Sequence, residues 1–265
     1  MRLGFFRLWK GILPCLPAFL LLGVCSFLAA SAEAYIIDDF TGNAIDTAKW
    51  TAVSDVPGQE YFSQHDGRLY FSAAQGAEKL VSKDTYGPGF FRMEFYDFYS
   101  SNLEAPGSHK GAFAALGLAV GDNFVRIIRC QNGDSISGAK YGVFEVNYMD
   151  QGQLQVHWVP TTATQGQLGM YYDGSIVRFY YNTGLDPYSG WQDTGWITGN
   201  QPGLFSGQWT PGWSSDPKLF IRGYDLTYST SFSVDNVECR PVPEPSFVLL
   251  LAAGFAGIAA LRIKP

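Results

Sequence analysis

Several carboxylates of this sequence are candidates for catalytic chemistry. In the segment EVNYMD, Glu145 and Asp150 stand close together in a run of alternating residues typical of a β-strand. Cleavage of a glycosidic bond with retention is chemistry that uses two carboxyl groups about 5–5.5 Å apart, one as nucleophile and one as acid/base. The alternative is an ordinary polar strand face, with Asp150 opening a turn. A second pair, Glu94 and Asp97, has an odd spacing that puts the two on opposite strand faces.

Other catalytic chemistry finds little support in the sequence. The histidines His65, His109 and His157 are scattered, without a cysteine or acid at metal-ligand spacing. No serine is marked as a nucleophile, and no glycine-rich loop opens a helix as nucleotide binding requires. Between Tyr35 and Arg240 there are 13 basic and 22 acidic side chains, a balance of −9. This charge argues against binding of nucleic acid, which needs a basic surface.

Tryptophans are concentrated in a late region rich in glycine and proline. Four of them fall within 23 positions: Trp191, Trp196, Trp209 and Trp213. Aromatic faces stack on sugar rings, and exposed aromatic residues mark binding surfaces. These residues are therefore candidates for stacking on a sugar or a partner. The alternative is that some of them close one end of the hydrophobic core.

The elements that must position these residues are short alternating runs separated by turn residues. Hairpin signals stand at Asp66–Gly67, Gly121–Asp122, Asp150–Gly152 and Asp173–Gly174. No stretch between residues 35 and 240 has sustained helical spacing. So many antiparallel strands must bury their apolar faces and protect their edges. The sequence therefore predicts an all-β fold for residues 35–240, a two-sheet antiparallel jelly-roll sandwich.

The N-terminal segment has the pattern of an export signal. Basic residues at positions 2, 7 and 10 precede an apolar stretch over 11–30, and small residues at 32 and 34 suit cleavage after Ala34. Residues 1–34 are predicted to be a signal peptide in helical form, handled by the general secretion machinery and signal peptidase. The alternative is an N-terminal membrane anchor.

Two cysteines, Cys130 and Cys239, remain after removal of this signal. In an exported protein they could form one disulfide, which requires Cα atoms within about 7 Å of each other. The alternative is two separate thiols. Without a matching histidine cluster, the two cysteines argue against a zinc site.

Three segments resemble the concanavalin-A-like lectin and glucanase domains. They are DDFTGNAIDTAKW, similar to the opening strand and loop, LGMYYDGSIVRFYYNTG, similar to a late hairpin, and FSVDNVEC, similar to the closing strand. The resemblance implies the sandwich fold over most of residues 35–240, with Trp50 structural. Such sandwiches often hold a structural Ca²⁺ between the first and last strands, which makes Asp38, Asp39 and Asp235 the candidate ligands. The alternative is that Asp39 and Asp235 hydrogen-bond neighbouring loops.

Glycosidases of this superfamily carry a laminarinase-type signature, in which two glutamates flank an aspartate on one strand. The resemblance places Glu145 at the nucleophile, Asn147 at the tuning aspartate and Asp150 at the acid/base, which a strand bulge must return to the same face. Two of the three positions differ from the signature. Asn147 carries no charge, and Asp150 is shorter than glutamate. The pattern therefore favours a sandwich without catalysis, with no cofactor beyond a structural Ca²⁺.

The C-terminal tail, residues 241–265, combines a Pro-Glu-Pro step at 242–245, fifteen apolar residues at 247–261 and a basic end at 262–264. The apolar run reaches about 22 Å as a helix, against about 30 Å of hydrocarbon. Snorkelling of the basic residues and thinning of the bilayer allow a short transmembrane helix, with its basic end in the cytoplasm.

The order of these parts resembles the PEP-CTERM sorting signal. The matching residues are Pro243, Glu244, Pro245, Arg262 and Lys264. The resemblance implies that exosortase, a membrane protease of Gram-negative bacteria, recognises and releases the chain. Exosortase systems accompany exopolysaccharide production. The protein would be anchored transiently in the inner membrane and then reach the cell surface or extracellular matrix.

Three hypotheses of function follow. The first is an exported surface or matrix protein whose sandwich binds carbohydrate or another envelope component without catalysis, with polysaccharide as a partner. The second is a divergent glycoside hydrolase that uses Glu145 and Asp150. The third is a purely structural matrix protein.

Overall fold

A computed structural model of the chain describes residues 34–101, 112–131, 142–150, 153–187, 189–193 and 213–241. Within these ranges the chain forms β-strands, turns and loops, and no helix that could cross a membrane is found there. The predicted N-terminal signal helix and C-terminal transmembrane helix, with the sorting residues 243–245, 262 and 264, lie outside the described residues.

The described chain contains thirteen strands. They are β1 Tyr35–Asp38, β2 Trp50–Ser54, β3 Phe62–His65, β4 Arg68–Thr85, β5 Gly89–Ser100, β6 Ala112–Val120, β7 Asn123–Gln131, β8 Val143–Asp150, β9 Gln153–Pro160, β10 Gly166–Tyr172, β11 Val177–Asn182, β12 Gln192–Asp193 and β13 Lys218–Pro241.

Two long strands, β4 and β13, pass from one sheet to the other. Residues 218–225 of β13 pair with β6 and with the later part of β4, whereas residues 229–234 pair with the earlier part of β4. The register of the β13–β4 ladder shifts between Asp225 and Ser229, where β13 leaves one sheet for the other. The last part of β13 pairs with β5 and β1.

We call the two layers the front sheet and the back sheet. The front sheet has the order β2, β4, β13, β6, β7, β8, β9. The back sheet contains β12, β11, β10, β5 and the later part of β13, with β1, β3 and the earlier part of β4 beyond it. All of these pairs are antiparallel, so the two-sheet arrangement predicted from the sequence is confirmed.

The main core fills the space between the sheets. Phe144 of the front sheet stacks on Tyr181 of the back sheet, with ring centroids 4.6 Å apart, and contacts Phe95 at 6.1 Å. All three belong to one large hydrophobic cluster, in which Leu116 and Ile221 have no exposed surface. Alternation along each strand brings these side chains inward and leaves every second residue for the outward face.

The turn prediction at Asp66–Gly67 is confirmed in detail. Both residues have positive φ, 50° and 72°, between the paired residues His65 and Arg68. This is the backbone of the two-residue hairpin turn whose twist matches the strands, and glycine tolerates it without strain. Residues 218–241 form one long strand, β13, and the segment FSVDNVEC, which resembles a closing strand, is its later part.

Candidate functional site

The segment EVNYMD lies in β8, and its first two polar residues face outward from the front sheet. Glu145 is paired with Ile128 of β7, and Asn147 with Arg126 of the same strand. On this outward face a second hydrophobic cluster, separate from the main core, contains Phe113, Ala115, Ile128, Cys130 and Val143. The predicted carboxylate therefore lies on the side of the front sheet away from the main core, among apolar residues, and is itself fully buried.

A chain of hydrogen bonds fixes the polar residues of this face. Arg126 donates from Nε to Oδ1 of Asn147 at 3.0 Å, and Asn147 donates from Nδ2 to Oε1 of Glu145 at 2.5 Å. Arg126 is 6% exposed, and the other two residues have no exposed surface. The asparagine thus presents its carbonyl to the cation and its amide to the carboxylate, so that an acceptor faces the donor and a donor faces the acceptor.

Aromatic rings continue this chain across the neighbouring strands. The Arg126 guanidinium lies 4.6 Å from the ring centroid of Phe113, and Phe113 stacks on Tyr224 at 4.8 Å with the planes 10° apart. Arg222 lies 5.4 Å from the Tyr224 ring and donates to Asp55 at 3.2 Å. These cation–π and stacking contacts link charged and aromatic side chains of neighbouring strands.

We call Glu145, Asn147, Arg126, Phe113 and Tyr224 the front band. Trp158 of β9 packs beside it and is half-buried. Among these residues the sequence analysis singled out only Glu145 and Asn147. The signal it missed is the pattern of β7, NFVRIIRC, in which Arg126 takes an alternate position between apolar residues. Which residues meet Arg126 depends on the strand register, which the sequence alone does not show.

The catalytic arrangement needs a bulge in β8 that the pairing does not contain. The β8–β9 ladder pairs every residue in turn, from Val143 with Pro160 to Asp150 with Gln153, and the β7–β8 ladder is equally regular. A strand without a bulge keeps strict alternation, so residues five positions apart do not share a face. The backbone of Asp150 ends β8 as expected, but its side chain lies outside the described residues.

The predicted tryptophan cluster is not one surface where the structure describes it. Trp191 lies on the outward face of the back sheet, where its ring meets Phe90 edge-on at 5.1 Å and Nε1 donates to the Pro187 carbonyl. Trp213 instead packs against Tyr172 at 5.6 Å, at the margin of the main core. The alternative of core closure thus applies to Trp213, whereas Trp196 and Trp209 lie outside the described residues.

The three aspartates proposed for calcium are engaged in local hydrogen bonds. Asp38, 5% exposed, accepts from Nε1 of Trp50 at 2.7 Å through one oxygen and from the Phe40 amide at 2.9 Å through the other. Asp39 accepts from Thr41. Asp235 accepts from the backbone amide of its neighbour, and its pKa is raised, chiefly by burial. No group of three metal-binding side chains is found within the described ranges.

The cysteines follow the second alternative of the sequence analysis. Cys130 and Cys239 are both buried and are not bridged to each other. Cys130 belongs to the outward cluster of the front sheet, whereas Cys239 lies in the main core, on the β13 segment paired with β1 and β5. The strand order places them in different layers, so of the two alternatives this structure has the two separate thiols. Burial raises the pKa of the Cys239 thiol to about 11.

The histidines form no shared site in the described part of the chain. His65 stacks on Tyr70 with ring centroids 4.0 Å apart, and its Nδ1 lies 3.1 Å from Asp66 on an exposed hairpin. The backbone of His157 pairs with Val146 within β9, but its side chain, like all of His109, lies outside the described residues.

A buried ionic cluster that sequence analysis did not detect lies on the outward face of the back sheet. Arg92 donates to both oxygens of Glu238, at 2.8 and 2.5 Å, and to Glu94 at 2.9 Å. Burial would raise the pKa of Glu94, but hydrogen bonds from Asn236, Tyr96 and Arg92 hold it below its usual value. The cluster is also linked to the loop after β11, because Nε2 of Gln167 donates to Glu94 and to the Leu185 carbonyl.

Comparison with known proteins finds a sequence motif in the tail and similar solved structures for the fold. Residues 241–264 match the PEP-CTERM protein-sorting motif. No curated protein sequence matches the chain. A pseudo β-1,3-glucanase and immunostimulatory antigen of Mycobacterium tuberculosis is similar in structure, at 14% identity and a TM-score of 0.51 over 78% of this chain and 98% of that one. A functionally unknown protein from Saccharomyces cerevisiae matches at 10% identity and a TM-score of 0.50 over 74% and 98%.

These similarities confirm both resemblances seen in the sequence. The chain shares the two-sheet jelly-roll fold of the pseudo β-1,3-glucanase structure, and residues 241–264 carry the PEP-CTERM motif. The motif marks it as an exported protein that exosortase sorts at the membrane toward the cell surface. At this level of identity the structural likeness concerns the fold and leaves the activity to be argued from the site.

Proposed function

We propose that this exported sandwich is a non-catalytic module that binds polysaccharide, or another component of the cell envelope, at the surface or in the extracellular matrix of a Gram-negative bacterium. The observation that carries the proposal is the front band. Its carboxylate, amide and guanidinium are buried and held by mutual hydrogen bonds, and they adjoin a stacked pair of aromatic rings of which Tyr224 is half-buried and reaches the surface. Fixed polar groups beside aromatic surfaces are what sugar-binding sites require.

A divergent glycoside hydrolase that uses Glu145 and Asp150 is the second candidate. The glucanase-type fold and the outward position of Glu145 favour it. Two features of β8 count against it. The register has no bulge to return a second carboxylate to the face of Glu145, and Asn147 hydrogen-bonds the proposed nucleophile without the charge of an aspartate. A structural matrix protein without a ligand is the third candidate.

The export route supplies the expected partners. Signal peptidase and the secretion machinery would act on residues 1–34, and exosortase on the tail. Before processing, the apolar run at 247–261 would hold the chain in the inner membrane. A polysaccharide at the cell surface would then be the ligand that the sandwich meets after release.

A glycan array with the secreted protein tests the proposal. We expect retention on at least one class of polysaccharide and a loss of up to about tenfold in affinity for Tyr224→Ala, because an aromatic contact contributes on the order of 0.5–1.5 kcal/mol. Arg178→Gln, on the exposed surface of β11, is the matched control and should bind normally. Absence of binding to every glycan would favour the structural candidate instead.

The hydrolase candidate is tested by reducing ends released from β-glucans. We expect none above the level of a protein-free control. Release that disappears in Glu145→Gln would establish the hydrolase and overturn the proposal.

A further inference from the structure

A pocket at one end of the sandwich lies apart from the front band. It has a volume of about 730 Å³ and opens between the end of β5, the end of β7, the start of β8 and the β9–β10 connection. Its lining residues are Phe98, Tyr99, Ser100, Arg129, Gln131, Gly142, Pro160, Thr161, Thr162 and Thr164. Ligand pockets for small organic groups typically have about 300–1,000 Å³, so the pocket can hold a sugar unit with part of its neighbours.

The pocket contains one charged group, the guanidinium of Arg129. This residue is 3% exposed, and its side chain packs over the ring of Phe98 with 4.6 Å between the guanidinium carbon and the ring centroid. Nε donates to the Ala163 carbonyl at 2.6 Å, and Nη1 donates to the Cys130 carbonyl. These two bonds fix the plane of the guanidinium and leave N–H groups of Nη2 for another partner.

No acid neutralises this cation in the part of the chain that the structure describes. Its bonds there go to backbone carbonyls, and no carboxylate contributes to its electrostatic surroundings. Burial lowers the pKa of Arg129 to about 10, so the group remains charged near neutral pH. A buried charge without an opposite charge is unfavourable, and a bound anion would relieve this cost.

The backbone keeps open the space beside the guanidinium. A Cβ atom on Gly142 would lie 2.4 Å from the Thr161 carbonyl and 3.0 Å from Nη2 of Arg129, so only glycine fits there. The Thr161 amide donates to the Gly142 carbonyl at 2.7 Å, which ties β8 to the β9–β10 connection. Arg129 is therefore held by local structure on two sides and faces the pocket with its remaining donors.

The walls suit a sugar better than a bare inorganic anion. Thr162 and Thr164 are exposed and carry hydroxyl groups, whereas Phe98 and Pro160 give apolar surface and Tyr99, 58% exposed, stands at the rim. Sugar rings combine apolar faces with hydroxyl edges, so they match walls of this mixed character. A guanidinium recognises a carboxylate through paired, charge-assisted hydrogen bonds.

We propose that this pocket binds the carboxylate of an acidic sugar unit, a uronate, within a polysaccharide chain. The inference rests on the proposed function and names its ligand class. The domain between Tyr35 and Arg240 has a net charge of −9. General electrostatics would repel an acidic polymer, so a preference for the acidic form must come from a local site such as Arg129.

The test compares two polymers that differ only in this carboxylate. Polygalacturonate and its fully methyl-esterified form are titrated against the secreted protein near neutral pH at about 0.15 M salt. We expect the acidic form to bind roughly 10- to 100-fold more tightly, because each good charge-assisted contact has this effect on affinity. Arg129→Met should reduce binding of the acidic form to the level of the ester, and Arg178→Gln should leave it unchanged.

The uronate site can also be tested without the Arg129→Met variant. If Arg129→Met does not fold, the exposed Thr162→Val and Tyr99→Ala variants should each weaken binding of the acidic polymer by roughly three- to tenfold. Equal binding of acid and ester, or wild-type affinity in the folded pocket variants, would overturn the uronate site and leave polysaccharide binding intact. Failure to bind either polymer, together with a blank glycan array, would overturn both proposals.

Discussion

Replacing Arg92 by methionine should destabilise the sandwich strongly and in a pH-dependent way. Arg92, Glu94 and Glu238 form a buried ion triad, with side chains 7%, 7% and 13% exposed. Methionine preserves much of the side-chain volume but removes the cation that makes three hydrogen bonds to the two acids. Two carboxylates would then remain buried without an opposite charge.

The expected loss follows from the cost of leaving buried charges unpaired. Removing one partner of a buried pair costs about 3–5 kcal/mol. Glu94 keeps its hydrogen bonds from Tyr96 and Asn236, so we expect a value near the lower end, about 3 kcal/mol near pH 7. The matched control is Arg222→Met. Its ion pair with Asp55 has a similar distance but is 27% and 54% exposed, so the loss should be about 0–1 kcal/mol.

The sign of the pH dependence distinguishes this account from simple loss of packing. In the natural protein the pKa of Glu94 is held below its usual value, so its contribution to stability is present above the unfolded pKa and is lost as pH falls. Without Arg92 the pKa of this carboxyl should rise above the unfolded value. The variant then loses stability as pH rises through that pKa, so the difference between the two proteins should shrink from about pH 7 to about pH 5.

Urea unfolding at the two pH values, followed by tryptophan fluorescence, measures the free energies. The double replacement Glu94→Gln and Glu238→Gln in the Arg92→Met background should recover part of the loss at neutral pH, since no orphan charge remains. A loss under about 1 kcal/mol, or an equal loss at both pH values, would refute the view that the triad depends on charge.

Three further predictions concern other parts of the chain. Asp38→Ala should lower the free energy of unfolding in urea by about 2–4 kcal/mol, because Nε1 of Trp50 loses its hydrogen-bond acceptor. The control is Lys49→Met, which removes the partly exposed ion-pair partner of Asp38 and should change stability by under about 1 kcal/mol. Similar losses in both variants would contradict the role given to the Trp50–Asp38 hydrogen bond. Cys130 and Cys239 should resist a thiol reagent in the native protein and both react in urea without reductant, since they are buried and unbridged, and a need for reductant would reveal a disulfide. Deleting residues 242–265 should divert the protein from its normal surface location, as followed by cell fractionation, and unchanged delivery would argue against the sorting role of the tail.

Local sequence patterns were sufficient to predict the fold class and several of its turns. Alternation of apolar residues and turn pairs such as Asp66–Gly67 act over a few positions, and the structure follows them. The structural role expected for Trp50 also holds, because its indole is buried and donates to Asp38 twelve positions earlier. The sorting motif of the tail could also be predicted, because its Pro-Glu-Pro step, apolar run and basic end follow one another directly in the sequence.

Contacts between distant strands could not be predicted in the same way. Arg92 and Glu238 are 146 positions apart and meet because β5 pairs with the end of β13. Arg126 contacts Asn147 because the two residues are paired in the β7–β8 ladder. The same ladder is regular, so β8 lacks the bulge that a second catalytic carboxylate requires. The sequence left open whether the two cysteines meet, and the strand order separates them into two layers. Alternation and a tight turn fix the register within a hairpin, whereas the pairing of strands that are far apart in the sequence depends on the whole fold.

The most direct test of the account is to follow protein and polymer together in one sample. Polygalacturonate and a β-1,3-glucan are each incubated with the secreted protein for an extended time, then separated by size with light scattering on the eluate. We predict that the protein co-elutes with the acidic polymer while the chain length of both polymers stays constant. Shortening of either polymer would contradict a non-catalytic module, and a protein that elutes alone from both would contradict binding.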